Sequence, residues 1–186
     1  MQITEALLTR RTVHAYTDDP VPEDALARAL DAARHAPNHR LTFPWRFTRP
    51  GPVGRDAIAE LYVRLKQEAA GSPLSSAKSE RYFSKVRDPA VLFVVTQMRS
   101  DDPFRAKEDY ASVASAIQNL HLSVHADGLG AKWSTGGITR HPETYTICNI
   151  DPALEEIVGF VWVGVPRTVP QVAERPPVSS LVRTTP

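Results

Sequence analysis

The run AVLFVVTQM, residues 90–98, decides the fold class because it is short and apolar at nearly every position. A strand with one solvent-exposed face alternates apolar and polar residues, whereas a continuous apolar run fits a strand that is covered on both faces. A second run, IVGFVWVGV at residues 157–165, has the same character. Two such strands need a layer of other elements on each side of their sheet, so the pattern predicts a sheet packed between helices.

Four further segments have the helical periodicity that such layers require. Apolar residues recur every three to four positions within residues 3–10, 22–36, 54–71 and 106–127. Strands and helices do not alternate in a uniform βαβ rhythm. We therefore predict an α+β fold, a three-layer αβα sandwich with a mixed central sheet, in a single domain over residues 1–165. Between Gly71 and Pro89 the periodicity weakens, and serines and charges predict a surface segment.

The last part of the chain, residues 166–186, differs in composition from the rest. The segment RTVPQVAERPPVSSLVRTTP contains too many prolines for a helix, since proline removes a backbone donor and clashes with the preceding turn. We predict an extended C-terminal arm.

Composition limits the classes of function. The chain has 186 residues and a formal net charge of +1, which gives no reason to expect a nucleic-acid or acidic membrane partner. Its single cysteine, Cys148, cannot form an internal disulfide, which favours a reducing, cytoplasmic location. The first residues lack the apolar core of a signal peptide, and the longest apolar run is far shorter than the roughly 20 residues that span a bilayer.

Arg10, Arg11 and Thr12 follow one another at the end of the first predicted helix. Cations there complement the helix dipole, which contributes about 0.3–1 kcal/mol. The same residue types also suit a phosphate, because arginine donates two parallel hydrogen bonds and the hydroxyl adds a third donor. Hydrogen bonds to a charged group contribute about 1.5–3 kcal/mol each, so a phosphate ligand would outweigh the dipole.

Two pairs of histidines are candidates for a site. His121 and His125 lie four residues apart on a predicted helix and could face one metal ion, but no third ligand stands out. His35 and His39 flank Pro37, where they serve either the turn itself or an anionic or polar ligand.

The segment AKWSTGG, residues 131–137, is predicted to be a short strand followed by a turn. Gly136 and Gly137 would let backbone amides approach a flat ligand, and Ser134 and Thr135 add hydroxyl groups. Together with the arginines, these residues indicate a planar ligand that bears a phosphate.

Three stretches in this order resemble the FMN-dependent nitroreductase family over almost the whole chain. They are LLTRRTVHAYTDDPVPEDALARALDAARHAPNHRLTFPWRF (residues 7–47), EDYASVASAIQNLHLSVHADGLGAKWSTGG (108–137) and IVGFVWVGVP (157–166). The short length and the Ala-Pro-Asn-His corner are most similar to the small bacterial members named as NAD(P)H nitroreductases.

The resemblance implies a homodimer that binds FMN at the subunit interface, with the C-terminal arm packed on the partner subunit. Arg10, Arg11 and Thr12 would hold the phosphate and ribityl chain, with help from Arg175. The other subunit would supply His35 and His39. The flavin ring would be lined by Trp133, Ser134, Thr135 and Gly136.

The resemblance also implies an activity. FMN would take hydride from NADH or NADPH at its N5 atom and pass it to a nitroaromatic, a quinone or a similar small acceptor by a ping-pong mechanism, so no catalytic acid or base is expected. The alternatives are specialised flavin chemistry (dehalogenation or flavin fragmentation), a non-catalytic FMN-binding protein and, distantly, a metal hydrolase. Two positions depart from the family pattern: His14, where many members have Lys or Arg, and Phe43, where many have Gln.

Overall fold

The computed structural model of the chain describes residues 1–185, so Pro186, the last residue of the predicted arm, lies outside the described residues. The helices are Ile3–Thr9 (α1), Glu23–Arg34 (α2), Pro52–Ala70 (α3), Ser76–Arg87 (α4), Pro103–Ala126 (α5) and Pro142–Cys148 (α6). The strands are Trp45–Thr48 (β1), Val91–Met98 (β2), Gly130–Ser134 (β3) and Glu155–Gly164 (β4). Three short 3₁₀ turns cover His39–Leu41, Gly137–Arg140 and Val178–Ser180.

The four strands form one sheet in the order β1-β2-β4-β3, and all three neighbouring pairs are antiparallel. The sheet is antiparallel rather than mixed as predicted, because parallel pairing among residues 1–185 is limited to an isolated bridge between Thr12 and Ala131. Continuous apolar strands are typical of parallel sheets. Here antiparallel strands have the same pattern because helices cover both of their faces.

Strand β2 shows why the sheet needs a layer on each side. Val91, Phe93 and Val95 belong to one buried cluster with residues of α2 and α5. Leu92 and Val94 belong to a second cluster with residues of α3 and α6. Alternate side chains thus point into separate cores, so the αβα sandwich predicted from the sequence is confirmed.

Helix α5 packs against α2 through small side chains on both helices, among them Ala29, Ala33 and Ala116, which are all essentially inaccessible. The helical spacing within residues 106–127 predicts Tyr110 on the inward face with Val113 and Ile117, but this is wrong for Tyr110, because 46% of it is exposed. The buried stripe of α5 instead begins one residue earlier, at Asp109, whose carboxylate accepts a hydrogen bond from Thr42.

Helix α4 occupies the segment for which the sequence predicted only a polar surface. Ser75 begins it as an N-cap, with its hydroxyl accepting from the amide of Lys78. Its other end is held by Arg55 of α3, whose guanidinium donates to the carbonyls of Val86, Arg87, Pro89 and Ala90. A cation thus satisfies several carbonyl groups at and beyond the helix C-terminus.

We expect Arg55→Met to lower the free energy of unfolding by about 2 kcal/mol, because the charge-assisted bonds to these carbonyls are lost while the apolar stem is kept. Arg49→Met is the matched control, since Arg49 forms only an exposed ion pair with Glu23 at 2.9 Å and should cost at most about 1 kcal/mol. Urea denaturation measures both. Equal losses would show that water replaces Arg55 at the end of α4.

The C-terminal segment follows β4 as an extended chain, as predicted. Residues 167–185 are exposed throughout, and the regular structure described among them is the 3₁₀ turn Val178–Ser180. No helix within the described part of the chain has both the length and the apolar character needed to cross a membrane.

Candidate functional site

The segment that follows α1 lies alongside β3. Thr12 bridges Ala131, and the amide of Val13 donates to the Ala131 carbonyl at 3.1 Å. Val13 is buried directly over Gly130, where a Cβ atom would lie 2.6 Å from the valine side chain. Only glycine permits this approach. Thr12 and His14, on either side of the buried valine, are left exposed beside the strand.

Three arginines lie close together at the end of α1. Burial lowers the pKa of Arg10, and the neighbouring charges of Arg11 and Arg175 lower it further. None of the three forms an ion pair with a carboxylate of the described chain. The Nε atoms of Arg10 and Arg11 are buried without a hydrogen-bond partner among residues 1–185. The arginine cluster, meaning Arg10, Arg11 and Arg175, therefore has uncompensated positive charge that suits an anion.

The two helical histidines contribute to this site rather than forming a separate one. His121 and His125 line a cavity of about 150 Å³ together with Arg10 and Arg11. The ring of His125 is 2.9 Å from the Thr9 hydroxyl. Among the described residues, no group of three histidine, cysteine or carboxylate side chains is arranged to bind a metal ion, so the metal alternative has no third ligand there.

His121 is 5% exposed, and burial, followed by the charge of Arg10, lowers its pKa from 6.5 to about 4. Its ring is therefore neutral at pH 7 in the folded protein. In the unfolded chain the same imidazole has its ordinary pKa of 6.5, so it binds a proton as the pH falls through 6.5. Between pH 6.5 and about 4 the unfolded state therefore binds more protons than the folded state, so acid lowers the free energy of unfolding.

We expect the free energy of unfolding to fall more steeply between pH 6.5 and 5 in the parent than in His121→Gln, by about 2 kcal/mol over that interval. Urea titrations in phosphate-free buffer measure the difference. His35→Gln, at an exposed position, serves as control and should keep the parental slope. A parental slope in His121→Gln would mean that the buried imidazole is charged in the folded protein.

A second, larger cavity of about 360 Å³ lies on the opposite face of β3, toward α3 and α4. His14 and Tyr16 reach it from the segment after α1, and Lys132 and Ser134 reach it from β3. Sequence reasoning identified Ser134 but missed Lys132, although the alternation of a strand places these two side chains on one face. The remaining walls come mainly from α3, α4 and β4: Tyr62, Arg81, Lys85, Val86, Pro89, Ile138, Phe160 and Trp162.

The indole of Trp133 lies on the other face of β3 and packs against the core formed with α2 and α5. Gly159 makes room for it, since a Cβ atom there would clash with the indole nitrogen. That nitrogen is buried without a hydrogen-bond partner in the described chain. The side chains of Trp133 and Ser134 therefore lie on opposite faces of β3, although the resemblance implied that both line the flavin ring.

The turn after β3 is open on its outer side. A Cβ atom on Gly136 or Gly137 would meet no other atom within 4 Å. Thr139 fixes the turn, because its hydroxyl and its amide both donate to the Gly136 carbonyl, at 2.8 and 3.0 Å. Thr135 is exposed at the same turn. A flat ligand can thus approach this backbone without displacing a side chain.

The corner at residues 35–43 is held by side-chain hydrogen bonds and leaves most of its other side chains exposed. Asn38 accepts from the amide of Phe43 at 2.6 Å and donates to Thr42 at 2.9 Å, and Thr42 in turn donates to buried Asp109 at 2.5 Å. Arg40, Leu41 and Phe43 all have φ between 46° and 56°, a region that costs non-glycine residues about 1–3 kcal/mol each.

His35 and His39 at this corner are both exposed, and neither lines the cavity of the arginine cluster in the same chain. The ring of His35 is 3.9 Å from Asp31 of its own helix. The structure thus brings Arg10, Arg11 and Arg175 together but leaves the two corner histidines apart from them.

Comparison with known proteins agrees with this architecture. A model described as "Nitroreductase family" matches residues 7–165. A Bacillus subtilis (strain 168) protein named "Putative NAD(P)H nitroreductase YfhC" is 27% identical over 179 residues, covering 95% of this chain and 90% of that protein.

Two solved structures extend the likeness. A nitroreductase-like family protein from Bacillus cereus has a TM-score of 0.86 at 24% identity and covers 100% of this chain and 96% of its own. A nitroreductase-type protein from Desulfovibrio desulfuricans, solved in complex with FMN, has a TM-score of 0.77 at 25% identity and covers 100% and 98%. Because the family model spans most of the residues, from α1 to the end of β4, the chain belongs to the nitroreductase family.

Proposed function

We propose that this protein is an FMN-dependent oxidoreductase that uses NADH or NADPH to reduce nitroaromatic, quinone or similar small acceptors. The observation that supports it most is the arginine cluster, which adjoins the segment paired with β3 and has no carboxylate partner in the described chain. The D. desulfuricans relative with FMN bound supports the choice of cofactor.

The arginine cluster fits the phosphate of FMN. Arg10 and Arg11 each have a buried Nε atom that lacks a partner among the described residues, and a buried donor of this kind costs free energy until an acceptor satisfies it. A phosphate supplies several acceptor oxygens and the missing negative charge. Arg175 of the arm adds a third guanidinium, and the exposed Thr12 hydroxyl is available to the ribityl chain.

The turn at residues 134–137 fits the flavin ring. The open backbone of Gly136 offers an amide that a ring edge can approach, and Ser134 and Thr135 offer hydroxyl groups beside it. When bound, FMN supplies the hydride chemistry of the reaction. The protein binds and orients the ring, while Trp133 supports the strand from its other face.

The site is completed by a second copy of the chain in this proposal. Ile3, Leu7 and Leu8 of α1 are 55–69% exposed, and large apolar side chains of the arm are 61–74% exposed. Exposed apolar surface of this kind is typical of an interface. The rigid corner of the partner, with His35 and His39, would close the outer side of the flavin site, and the arms would pack across the dimer.

Steady-state oxidation of NADH and NADPH in the presence of a quinone tests the proposed activity. We expect parallel lines in double-reciprocal plots at several quinone concentrations, because the donor leaves before the acceptor binds in the same pocket. A protein that retains FMN but oxidises neither nucleotide would instead be a binding protein without turnover.

A further inference from the structure

Asp109 of α5 is the one carboxylate that is buried among residues 1–185, with 4% of its surface exposed. Its ion-pair partner is Arg105, whose Nε atom lies 3.8 Å from the carboxylate and whose side chain is 52% exposed. A buried charge is unfavourable unless it is paired and hydrogen-bonded, and replacing it with an uncharged side chain is often neutral for stability. The position of Asp109 therefore indicates a role beyond the stability of the fold.

Asp109 sets the direction of a chain of hydrogen bonds that reaches the corner after α2. A carboxylate only accepts, so the Thr42 hydroxyl donates its proton to Asp109, at 2.5 Å. The Thr42 oxygen then accepts from the side-chain amide of Asn38 at 2.9 Å, and the Asn38 carbonyl oxygen accepts from the backbone amide of Phe43 at 2.6 Å. These bonds connect the two ends of the corner to the buried helix.

The backbone that these bonds hold is strained. Arg40, Leu41 and Phe43 have φ between 46° and 56°, a left-handed region that bulky residues rarely adopt. Such strain persists only where the surrounding structure fixes it, and it concentrates at functional sites. Leu41 and Phe43 are 70% and 51% exposed, and His39 beside them is exposed as well. The corner is thus held in an unfavourable conformation that leaves apolar side chains at the surface.

We propose that Asp109 is a positioning residue of the flavin site. Its carboxylate, through Thr42 and Asn38, holds the corner in the conformation that closes the flavin site of the partner subunit. In this role Asp109 does not touch the flavin, and it does not line the cavity of the arginine cluster in its own chain. The inference rests on the proposed function, in which the corner serves the flavin of the other subunit.

Amide hydrogen exchange of the apo-protein tests the link between Asp109 and the corner without any flavin. Asp109→Ala removes the acceptor of the Thr42 proton, so the backbone amide of Phe43 loses its fixed partner and should exchange at least about tenfold faster. Asp109→Asn keeps the shape and one acceptor oxygen but can also donate, so its exchange rate should lie between those of the parent and Asp109→Ala.

Asn119→Ala is the matched control. Asn119 also lies on α5 and donates to the Ala32 carbonyl of α2 at 3.1 Å, so this variant likewise loses one hydrogen bond between α5 and a neighbouring element. That bond does not involve the corner residues 38–43. The exchange rate of Phe43 and the affinity for FMN should therefore both stay at their parental values.

The affinity for FMN shows whether the corner acts on the flavin. We expect Asp109→Ala and Thr42→Val each to weaken FMN binding about tenfold, as the loss of one charge-assisted hydrogen bond predicts. The double variant should bind no more weakly than either single variant, because both substitutions break the same chain of bonds. Additive losses would show that Asp109 acts independently of Thr42.

A mixed dimer separates positioning from general damage to the chain. When one chain has Asp109→Ala and the other has Arg10→Ala, one site contains both defects and the other contains neither. Half of the sites should then bind FMN with the parental affinity. Damage confined to the chain with Asp109→Ala would instead leave no intact site.

A parental exchange rate of Phe43 in Asp109→Ala would overturn the proposal, as would a mixed dimer without an intact site. If Asp109→Ala does not fold, Asp109→Asn and Thr42→Val decide by the same measurements. Failure of the proposed function is distinguishable. A parent that binds no FMN contradicts that function and the flavin role of Asp109 together, while the exchange rates still decide whether Asp109 holds the corner.

Discussion

Arg10→Ala should weaken FMN binding by about a hundredfold or more. The guanidinium of Arg10 lies in a partly buried cluster with Arg11 and Arg175, and its Nε atom has no partner among the described residues. Each charge-assisted bond to the phosphate contributes about 1.5–3 kcal/mol, and every 1.4 kcal/mol changes the affinity about tenfold. The dissociation constant is measured by titrating the apo-protein with FMN and monitoring the quenching of flavin fluorescence.

Arg34→Ala is the control for this experiment. Arg34 is an arginine of α2 whose exposed side chain pairs only with Asp31, so its removal should leave the affinity for FMN unchanged. Riboflavin, which lacks the phosphate, should bind the parent and Arg10→Ala with similar affinity. If Arg10→Ala binds FMN as tightly as Arg34→Ala does, the phosphate site lies elsewhere.

A mixed dimer of Arg10→Ala and His39→Glu chains should bind FMN normally at half of its sites. In the proposed arrangement, Arg10 of one subunit and His39 of the other serve the same flavin. One site of the mixed dimer then contains both defects and the other contains neither. His39→Glu removes a donor from the exposed corner and places a negative charge beside an anionic cofactor, so each parental homodimer should bind FMN poorly.

The crossed arrangement provides the control. When both substitutions are on one chain and the partner is unaltered, each site has one defect, and no site should bind normally. Differently tagged chains allow each heterodimer to be purified before FMN is counted. The reverse outcome, with intact sites only in the second heterodimer, would show that Arg10 and His39 act within one chain.

The core of the fold could be predicted from the sequence because burial leaves a periodic signal. The apolar run at residues 90–98 and the stripe Val113, Ile117, Leu120 and Val124 both lie where their spacing indicated. The relative direction of neighbouring strands could not be predicted from the sequence. A strand covered on both faces has the same composition whether its neighbours are parallel or antiparallel, so the pattern could not separate the two.

Two parts of the structure depend on polar contacts that leave no such signal. Helix α4 buries little beyond Val86, and it is held by Arg55, which lies 31 residues before Val86, the nearest in sequence of its carbonyl partners. The corner is fixed by Asn38, Thr42 and the distant Asp109. Neither arrangement could be derived from local periodicity, since each requires side chains from separate elements.

The candidate site was predictable to the extent that its residues adjoin in sequence. The sequence left two interpretations open for Arg10 and Arg11, complementation of the helix dipole and a phosphate site, and the structure places Arg175 beside them. The cavity that contains Lys85 and Lys132 joins residues 47 positions apart, so only the three-dimensional arrangement shows that their charges face one pocket. The FMN-binding roles of these positions stay predictions.

The visible absorption spectrum of the purified protein, combined with chromatography of the heat-released cofactor, tests the central claim most directly. We predict a yellow protein, or one that becomes yellow with added FMN, with about one flavin per chain, because a two-fold dimer has two equivalent sites. The released compound should be FMN rather than riboflavin or FAD, since the arginine cluster suits a terminal phosphate. A colourless protein that does not bind added FMN would contradict the account.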